Sequence, residues 1–292
     1  MIIIADKPGQ LANQLWAYSN MLAIAKDLNQ NAIIIFDKNY YQYFSAQSFS
    51  SKKVHIISSD TKKGRFIRNV ILFITNQFSI KSRWGNLFAK AGVVVLKEEL
   101  NESELYTSIS KSRVSFIESW NYRLLNTAII KERAYIVSLF QPKTATKNKV
   151  EDILNTLKNG CDVLIGVHIR RGDYKEFRNG EYYFEDDVYK AYLCKMASFF
   201  KDKKVLFYLF SNERINTVNF EGLNIHFIPE SSPINDLWAM SKCDYIIGPF
   251  STFSMWASFW NKVPIYFMKD AKCDFSVDDF KVIIAQDTFA TY

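Results

Sequence analysis

The chain opens with a continuous apolar run, Ile2 to Ala5, broken by Pro8-Gly9. Apolar residues then recur at Leu15, Tyr18, Leu22 and Ala25, the three-to-four spacing of one helical face, and a second apolar run covers Ile33 to Phe36. The pattern predicts a strand, a helix from about Ala12 to Leu28 and a second strand, the start of a parallel βαβ unit. Residues 37 to 150 carry apolar runs at Val54 to Ile57, Val70 to Ile74 and Val93 to Leu96 between basic and polar stretches, and read as the rest of an N-terminal α/β domain. The polar stretch Gln141 to Lys149, with its proline, reads as an interdomain connector.

Beyond it the alternation becomes regular. Strand Val163 to Ile169, helix Glu185 to Phe200, and strands Val205 to Phe210 and Asn224 to Ile228 are followed by helix Ile234 to Cys243. Strand Tyr245 to Ile247, helix Thr252 to Trp260 and strand Pro264 to Phe267 complete the series. Strands alternating with helices imply a doubly wound parallel sheet, so the predicted architecture is α/β with two domains, residues 1–150 and 151–292. Such sheets bind ligands at the carboxyl ends of their strands, which directs attention to the loops after Ile169, Phe210 and Ile247.

A hydrophobic fraction of 48% and a charged fraction of 23% exclude a disordered or fibrous chain of this length, 292 residues. Cys161, Cys194, Cys243 and Cys273 show no Cys-x-x-Cys spacing and read as reduced, buried thiols of a cytoplasmic protein. The first apolar run meets Asp6 and Lys7 too early for an export signal or a membrane span. The net charge of +7 is uneven: residues 51 to 150 hold 18 Lys+Arg against 7 Asp+Glu, an excess of +11, so the remainder sums to −4. A basic middle suits anionic lipid, a lipid-linked pyrophosphate or nucleic acid; dispersed charges also suit a merely solvated surface.

Three segments carry chemistry. The first is Val167-His168-Ile169-Arg170-Arg171-Gly172-Asp173-Tyr174, at the end of a predicted buried strand. A guanidinium there can bind a pyrophosphate bidentately and stabilise the charge that develops on a nucleotide leaving group, with Asp173 holding an arginine or a sugar hydroxyl. Taken alone, the same string also makes a structural salt-bridge turn. The second is Gly248 to Ser254, where Ser251, Thr252 and Ser254 fall at a predicted helix N-terminus suited either to phosphate or to ordinary capping. The third is the strand-to-helix turn Gly9 to Gln14, whose single glycine is not a dinucleotide fingerprint.

Together these segments resemble glycosyltransferase family 11, the α-1,2-fucosyltransferases, and more distantly the α-1,6- and protein O-fucosyltransferases. The family's first motif, Gly-Gly-Leu-Gly-Asn-Gln-Met, is matched at Gly9, Leu11, Asn13 and Gln14, and its His-x-Arg-Arg-Gly-Asp-Tyr motif is complete from His168 to Tyr174. A Ser-Asp-Asp-like segment stands as Ser211-Asn212-Glu213, and the last motif as Asp236-Leu237, Met240-Ser241, Cys243, Ser251 to Ser254 and Trp256. The resemblance implies a GT-B architecture, two Rossmann-like domains facing across a cleft, the first on the acceptor side and the second binding the GDP-sugar. It implies inversion at the sugar carbon with no metal or other cofactor, the arginines taking the place of a divalent cation. By the same resemblance Arg170 binds the β-phosphate and stabilises departing GDP, with Arg171 beside it, while His168 and Asp173 hold the nucleotide and order the arginine. Asp236 resembles the guanine-reading carboxylate, with a helix N-cap as its alternative role; Ser251, Thr252, Phe253 and Ser254 look like the phosphate loop, and Asn13 like the contact from the opposing domain.

The chain departs from the family at Gln10, Ala12 and Met255-Trp256-Ala257, which leaves another GDP-hexose open as donor. For the base that deprotonates the acceptor hydroxyl the candidates are Glu176, Asp6 and Asp37, each also readable as a capping or solvated carboxylate. The expected activity is fucosyl transfer from GDP-fucose to an oligosaccharide or lipid-linked glycan in surface polysaccharide (O-antigen) synthesis. The expected setting is the cytoplasm, peripheral to the inner face of the plasma membrane. The competing reading is a non-catalytic basic protein binding anionic lipid or nucleic acid, and the chain shows no nucleic-acid motif.

Overall fold

The structure, a computed structural model, describes residues 1–45, 49, 53–77, 88, 90–229 and 231–286. It divides into two compact units, Met1–Lys143 joined by Ala285 and Gln286, and Thr144–Ile284.

The first unit is built on a parallel sheet in the order β3-β2-β1-β5-β4, with β1 at Ile2–Ile4, β2 at Ala32–Phe36, β3 at Val54–Ser58, β4 at Val93–Leu96 and β5 at Val114–Ile117. β1 pairs in register with β2 on one side (Ile3 opposite Ile33) and β5 on the other (Ile3 opposite Phe116). The helix joining β1 to β2, α1 (Leu11–Asp27), is buried along Leu11 to Ala25 except at Asn13, including the polar Gln14, Ser19 and Asn20. Only one apolar face was expected; the rest of α1 is covered by the 3-10 turn Ser119–Tyr122 and the later helices Thr127–Lys131 and Arg133–Leu139. The short α2 (Lys38–Tyr41) is capped by Asp37, and α3 (Lys62–Gln77) contains the apolar run Val70 to Ile74. Then come α4 (Glu102–Lys111), α5 (Thr127–Lys131) and α6 (Arg133–Leu139).

The second unit begins with α7 (Thr144–Lys158). The expected connector Gln141 to Lys149 is therefore helical from Thr144: α7 buries Val150, Leu154 and Leu157 later on, so its first turns need no apolar residues. The sheet order is β10-β9-β6-β7-β8, all parallel, from β6 (Val163–Ile169), β7 (Val205–Ser211), β8 (Ile225–Phe227), β9 (Tyr245–Gly248) and β10 (Ile265–Phe267). The helices are α8 (Asp186–Ser198), α9 (Pro233–Met240) and α10 (Thr252–Asn261). Every residue of β6 is buried, as a central strand covered on both faces must be. From β6 the chain runs outward through β7 and β8, then returns to lay β9 along the other side of β6. That reversal opens a crevice at the carboxyl ends of β6 and β9, where the two polar loops leave the sheet.

Among the four free cysteines only Cys243 is buried, which corrects the expectation of four buried thiols. Cys194 sits on α8 one step past its buried face of Tyr189, Tyr192, Leu193 and Met196 and is exposed. Among the described residues no helix is long and apolar enough to cross a membrane.

Candidate functional site

The turn after β6 is organised by its own residues. Gly172 adopts φ +63°, and a Cβ there would lie 3.2 Å from Asn212 Nδ2 and 3.3 Å from Glu213 Oε1. The backbone N–H of Arg171 donates to Asn212 Oδ1 at 3.0 Å, so the Ser211-Asn212-Glu213 segment after β7 clamps the arginine turn. Arg170 and Arg171 then diverge. Arg171 is buried: its Nη1 donates to the Phe184 carbonyl at 2.8 Å and Glu185 Oε2 at 3.3 Å, its Nη2 pairs with Asp186, and its guanidinium lies over Tyr183 and Tyr189. Arg170 pairs with Asp173 through Nη2, 2.8 Å from Oδ1 and 3.0 Å from Oδ2, and its guanidinium lies 5.2 Å from the Tyr174 ring centroid.

Tyr174 ties this turn to the second loop, its hydroxyl donating to the Phe250 carbonyl at 2.9 Å. There β9 ends at Gly248, where a Cβ would fall 2.5 Å from the His168 carbonyl oxygen, so only glycine lets the two strand ends come this close. Ser251 caps α10, its hydroxyl accepting from Phe253 N–H at 3.2 Å, and the buried Ser254 hydroxyl donates to the Ser251 carbonyl at 3.2 Å. The alternative role of ordinary capping is thus what Ser251 performs, and Thr252 begins the helix beside it. Phe253 packs on His168, ring centroids 5.4 Å apart. His168 is buried, and its Nδ1 has no hydrogen-bond partner among the described residues. Burial, reinforced by Arg170, pushes its pKa down to about 3, so the imidazole is neutral.

Asp236 is not the N-cap of α9. Ser232 caps that helix, accepting from Asn235 N–H at 3.4 Å, with Pro233 in the first turn, and Asp236 stands one turn inside. Burial raises its carboxyl pKa to about 6, against the opposing Ser231 hydrogen bond. Its field also reaches Tyr208 on β7, whose ring meets His226 of β8 edge-on at 5.1 Å.

Asn13 lies in the first unit, in the first turn of α1 and partly buried. Gly9 before it takes φ +53°, where a Cβ would meet Asn13 Nδ2 at 2.4 Å, and the Gly9 carbonyl accepts from Gln14 Nε2 at 3.1 Å. Of the carboxylates weighed as bases, Asp37 is buried, 2.5 Å from Lys7 Nζ, and caps α2 through Asn39 N–H at 2.9 Å. Asp6, at the end of β1, accepts from Ser119 Oγ at 2.9 Å and Trp120 N–H at 3.2 Å; burial raises its pKa despite those bonds. Glu176 is exposed just beyond the turn Gly172–Lys175, in the same unit as Arg170.

Sequence reasoning assigned no role to the aromatic row beside Arg170. Tyr174 stacks on Phe177 at 5.3 Å, Tyr182 stacks on Phe250 at 5.4 Å, and Phe177 and Tyr182 approach to 6.4 Å. The density of aromatics between Tyr174 and Phe184 was the available signal. Among the described residues no three or more His, Cys, Asp or Glu side chains gather where they could hold a metal ion.

Comparison with known proteins identifies the fold type and the family. The chain is 24% identical over 282 residues to an alpha-1,2-colitosyltransferase of Escherichia coli, covering 89% of this chain and 88% of the relative. Its fold resembles that of an Arabidopsis thaliana FUT1 variant in complex with GDP (TM-score 0.59, 11% identity, 96% of this chain and 73% of that one). It also resembles fucosyltransferase NodZ from Bradyrhizobium (0.55, 13%, 91% and 94%) and POFUT1 in complex with GDP-fucose (0.57, 11%, 91% and 97%). The fold is thus of the GT-B type, with two parallel five-stranded α/β units. The sequence profile described as "Glycosyl transferase family 11" matches residues 2–268, so the chain belongs to that family and is a glycosyltransferase.

Proposed function

We propose that this glycosyltransferase takes its sugar from a GDP-sugar, most simply GDP-fucose, and transfers it with inversion, without a metal, to a hydroxyl of an oligosaccharide or lipid-linked glycan. The carrying observation is the Arg170–Asp173 pair, held by the Tyr174–Phe250 bond beside the N-terminus of α10 at the switch point of the second sheet. A guanidinium and the positive end of a helix dipole make a site for a diphosphate, and they oppose the charge that grows on it as it leaves. The acceptor oxygen forms a bond to the anomeric carbon while the bond from that carbon to the phosphate oxygen breaks. The electron pair leaves with GDP, and the hydroxyl proton passes to a carboxylate or to water.

In this reading Arg170 grips the β-phosphate, and Ser251, Thr252 and Phe253 form the helix start that faces it. Ser254 braces the turn through the Ser251 carbonyl. Arg171, committed to Phe184, Glu185 and Asp186, positions the loop without touching the donor. His168 offers its unpartnered Nδ1 as a neutral group to a donor hydroxyl, and Asp236 reads the guanine N1–H and N2–H₂. For Asn13 the support is the family motif. Asp37 is set aside as base because an ion pair and a cap already occupy it, leaving Glu176 and Asp6, which Glu176→Gln and Asp6→Asn separate by their effect on kcat. Structures of FUT1 with GDP, and of POFUT1 and NodZ with GDP-fucose, support the donor class.

The colitosyltransferase relative favours a second donor. Colitose is fucose without its 3-hydroxyl, and a pocket that hydrogen-bonds that hydroxyl would reject colitose by about 10⁴-fold, whereas an apolar pocket separates the two poorly. Calorimetric titration with GDP, UDP, CMP, GDP-fucose and GDP-mannose in the presence of a chelator, repeated on Arg170→Ala, tests the donor class. Selective, arginine-dependent binding of guanine nucleotides is expected, and no binding by folded protein would overturn the reading. Transfer rates from GDP-fucose and GDP-colitose then decide the sugar.

A further inference from the structure

Helix α3 has two apolar faces, and the fold uses one. Ile67, Ile71 and Ile74 pack against the cluster of Ile3, Ile35, Val95 and Phe116 on the first sheet. Phe66, Val70 and Phe73 form a second row at i, i+4 and i+7, within an arc of roughly 60° and turned roughly 110° from the buried row. That row faces solvent: Phe66 is 70% exposed, Val70 41% and Phe73 62%. Lys62, Lys63, Arg65 and Arg68 are exposed on the same helix, which contains no acidic residue.

We propose that this face of α3 seats the enzyme on an anionic lipid surface, with Phe66, Val70 and Phe73 entering the interface and the four cations meeting lipid phosphates. The combination identifies the occupant. Exposed phenylalanines flanked by Lys and Arg on a helix too polar to span a bilayer are what interfacial insertion needs, and each cation near such a surface adds attraction. A nucleic acid would draw on the cations and leave the apolar row unused. A second copy of the chain, docking symmetrically, would bring two acid-free helices of charge +4 together. The basic excess of residues 51 to 150, dispersed in the sequence, has in α3 a defined place to act. An enzyme whose acceptor is lipid-linked would gain from being held at the membrane, though the docking face rests on α3 alone and stands apart from the donor assignment.

The test is flotation of the purified full chain with phosphatidylcholine vesicles, with and without about one third phosphatidylglycerol, at about 0.1 M and about 0.5 M salt. Expected is capture by the phosphatidylglycerol vesicles only, weakened by salt. Phe66→Ser/Phe73→Ser and Lys62→Gln/Lys63→Gln should each reduce partitioning at least about tenfold. Because these side chains are exposed, thermal unfolding and GDP titration of the variants should match the parent, which separates loss of docking from loss of fold or donor site. Equal capture by both vesicle types, no capture, or unchanged capture of the phenylalanine variant would overturn the proposal. So would sedimentation showing that the phenylalanine variant turns a dimer into a monomer, since the row would then be an interface between copies.

Discussion

Replacing Asp236 with asparagine should stabilise the empty enzyme and weaken its grip on GDP, two effects of opposite sign from one substitution. The carboxyl sits one turn inside α9, where burial raises its pKa from 3.8 to about 6, the Ser231 hydrogen bond opposing only part of the effect. That rise corresponds to roughly 3 kcal/mol against the charged form, an upper limit for what asparagine can relieve. In the unfolded chain the proton leaves near 3.8; in the folded protein it stays until about 6. Between those values the unfolded state binds fewer protons, so this group lowers stability as pH rises through the window and keeps it lowered above. Asp236→Asn should remove that slope. The variant should match the parent near about pH 4 and exceed it by up to about 3 kcal/mol at about pH 8, or about 6–10 °C in melting temperature for a unit of this size.

GDP should report the opposite. An ionised carboxylate accepts from guanine N1–H and N2–H₂ together, whereas asparagine offers one acceptor and turns an NH₂ toward a donor. Losing a charge-assisted pair costs about 1.5–3 kcal/mol, so Kd should rise roughly 10- to 100-fold, and the preference for GDP over inosine diphosphate, which lacks the 2-amino group, should shrink. Below about pH 6 the parent must also release more protons than the variant as GDP binds, visible by titration in buffers of different ionisation enthalpy, the release from the GDP phosphate being common to both. Asp236→Asn protein that melts lower at about pH 8 would refute the burial argument, and one that binds GDP within about threefold of the parent would refute the guanine assignment.

Arg170→Ala should lower kcat by about 10²–10³ while leaving the melting temperature nearly unchanged, because the Arg170–Asp173 pair is solvent-facing on its Asp173 side. Arg171→Ala should do the reverse, costing about 3 kcal/mol of stability by stripping Asp186 and the Phe184 carbonyl of their partner. A melting scan beside a kinetic assay distinguishes the two. His168→Asn should flatten the acid side of the stability profile. The folded imidazole titrates near 3 and the unfolded one near 6.5, so the parent loses stability as pH falls through that window and the variant does not.

The second unit was largely legible because its strands other than β8 are mostly buried and appear as apolar runs; Val163 to Ile169 coincides with β6 residue for residue. The stretch between β4 and α7 was not. β5 is four residues with a buried serine, Ser115, in its middle, and α5 and α6 together span fewer residues than α1 alone, too short for a helical period to stand out. α4 did carry a readable start, Asn101 and Glu104 forming a reciprocal capping box. At the site, the segments His168 to Tyr174, Asn212-Glu213 and Gly248 to Ser254 stand at the carboxyl ends of β6, β7 and β9. The commitments of Arg171 to Phe184, Glu185 and Asp186 and of Asp37 to Lys7 follow from neighbours distant in sequence, which no local pattern reveals.

The two arginines show why. As a string, Arg170 and Arg171 are interchangeable, and strand geometry alone requires only that successive side chains leave on opposite sides. What distinguishes them is the partner each meets. Asp186, which holds Arg171, is 23% exposed and belongs to the first turn of α8, with Asn219 already bonded to its other oxygen at 2.6 Å. Asp173, which holds Arg170, is 59% exposed. A phosphate arriving at Arg170 can therefore displace a carboxylate that water will solvate, at little cost. The same exchange at Arg171 would leave Asp186 partly buried without its cation, a loss of several kcal/mol that a single donor contact would not offset. The exposure of the carboxylate, more than the identity of the arginine, separates the two pairs: Asp173 can give way to a phosphate at less cost than Asp186 can.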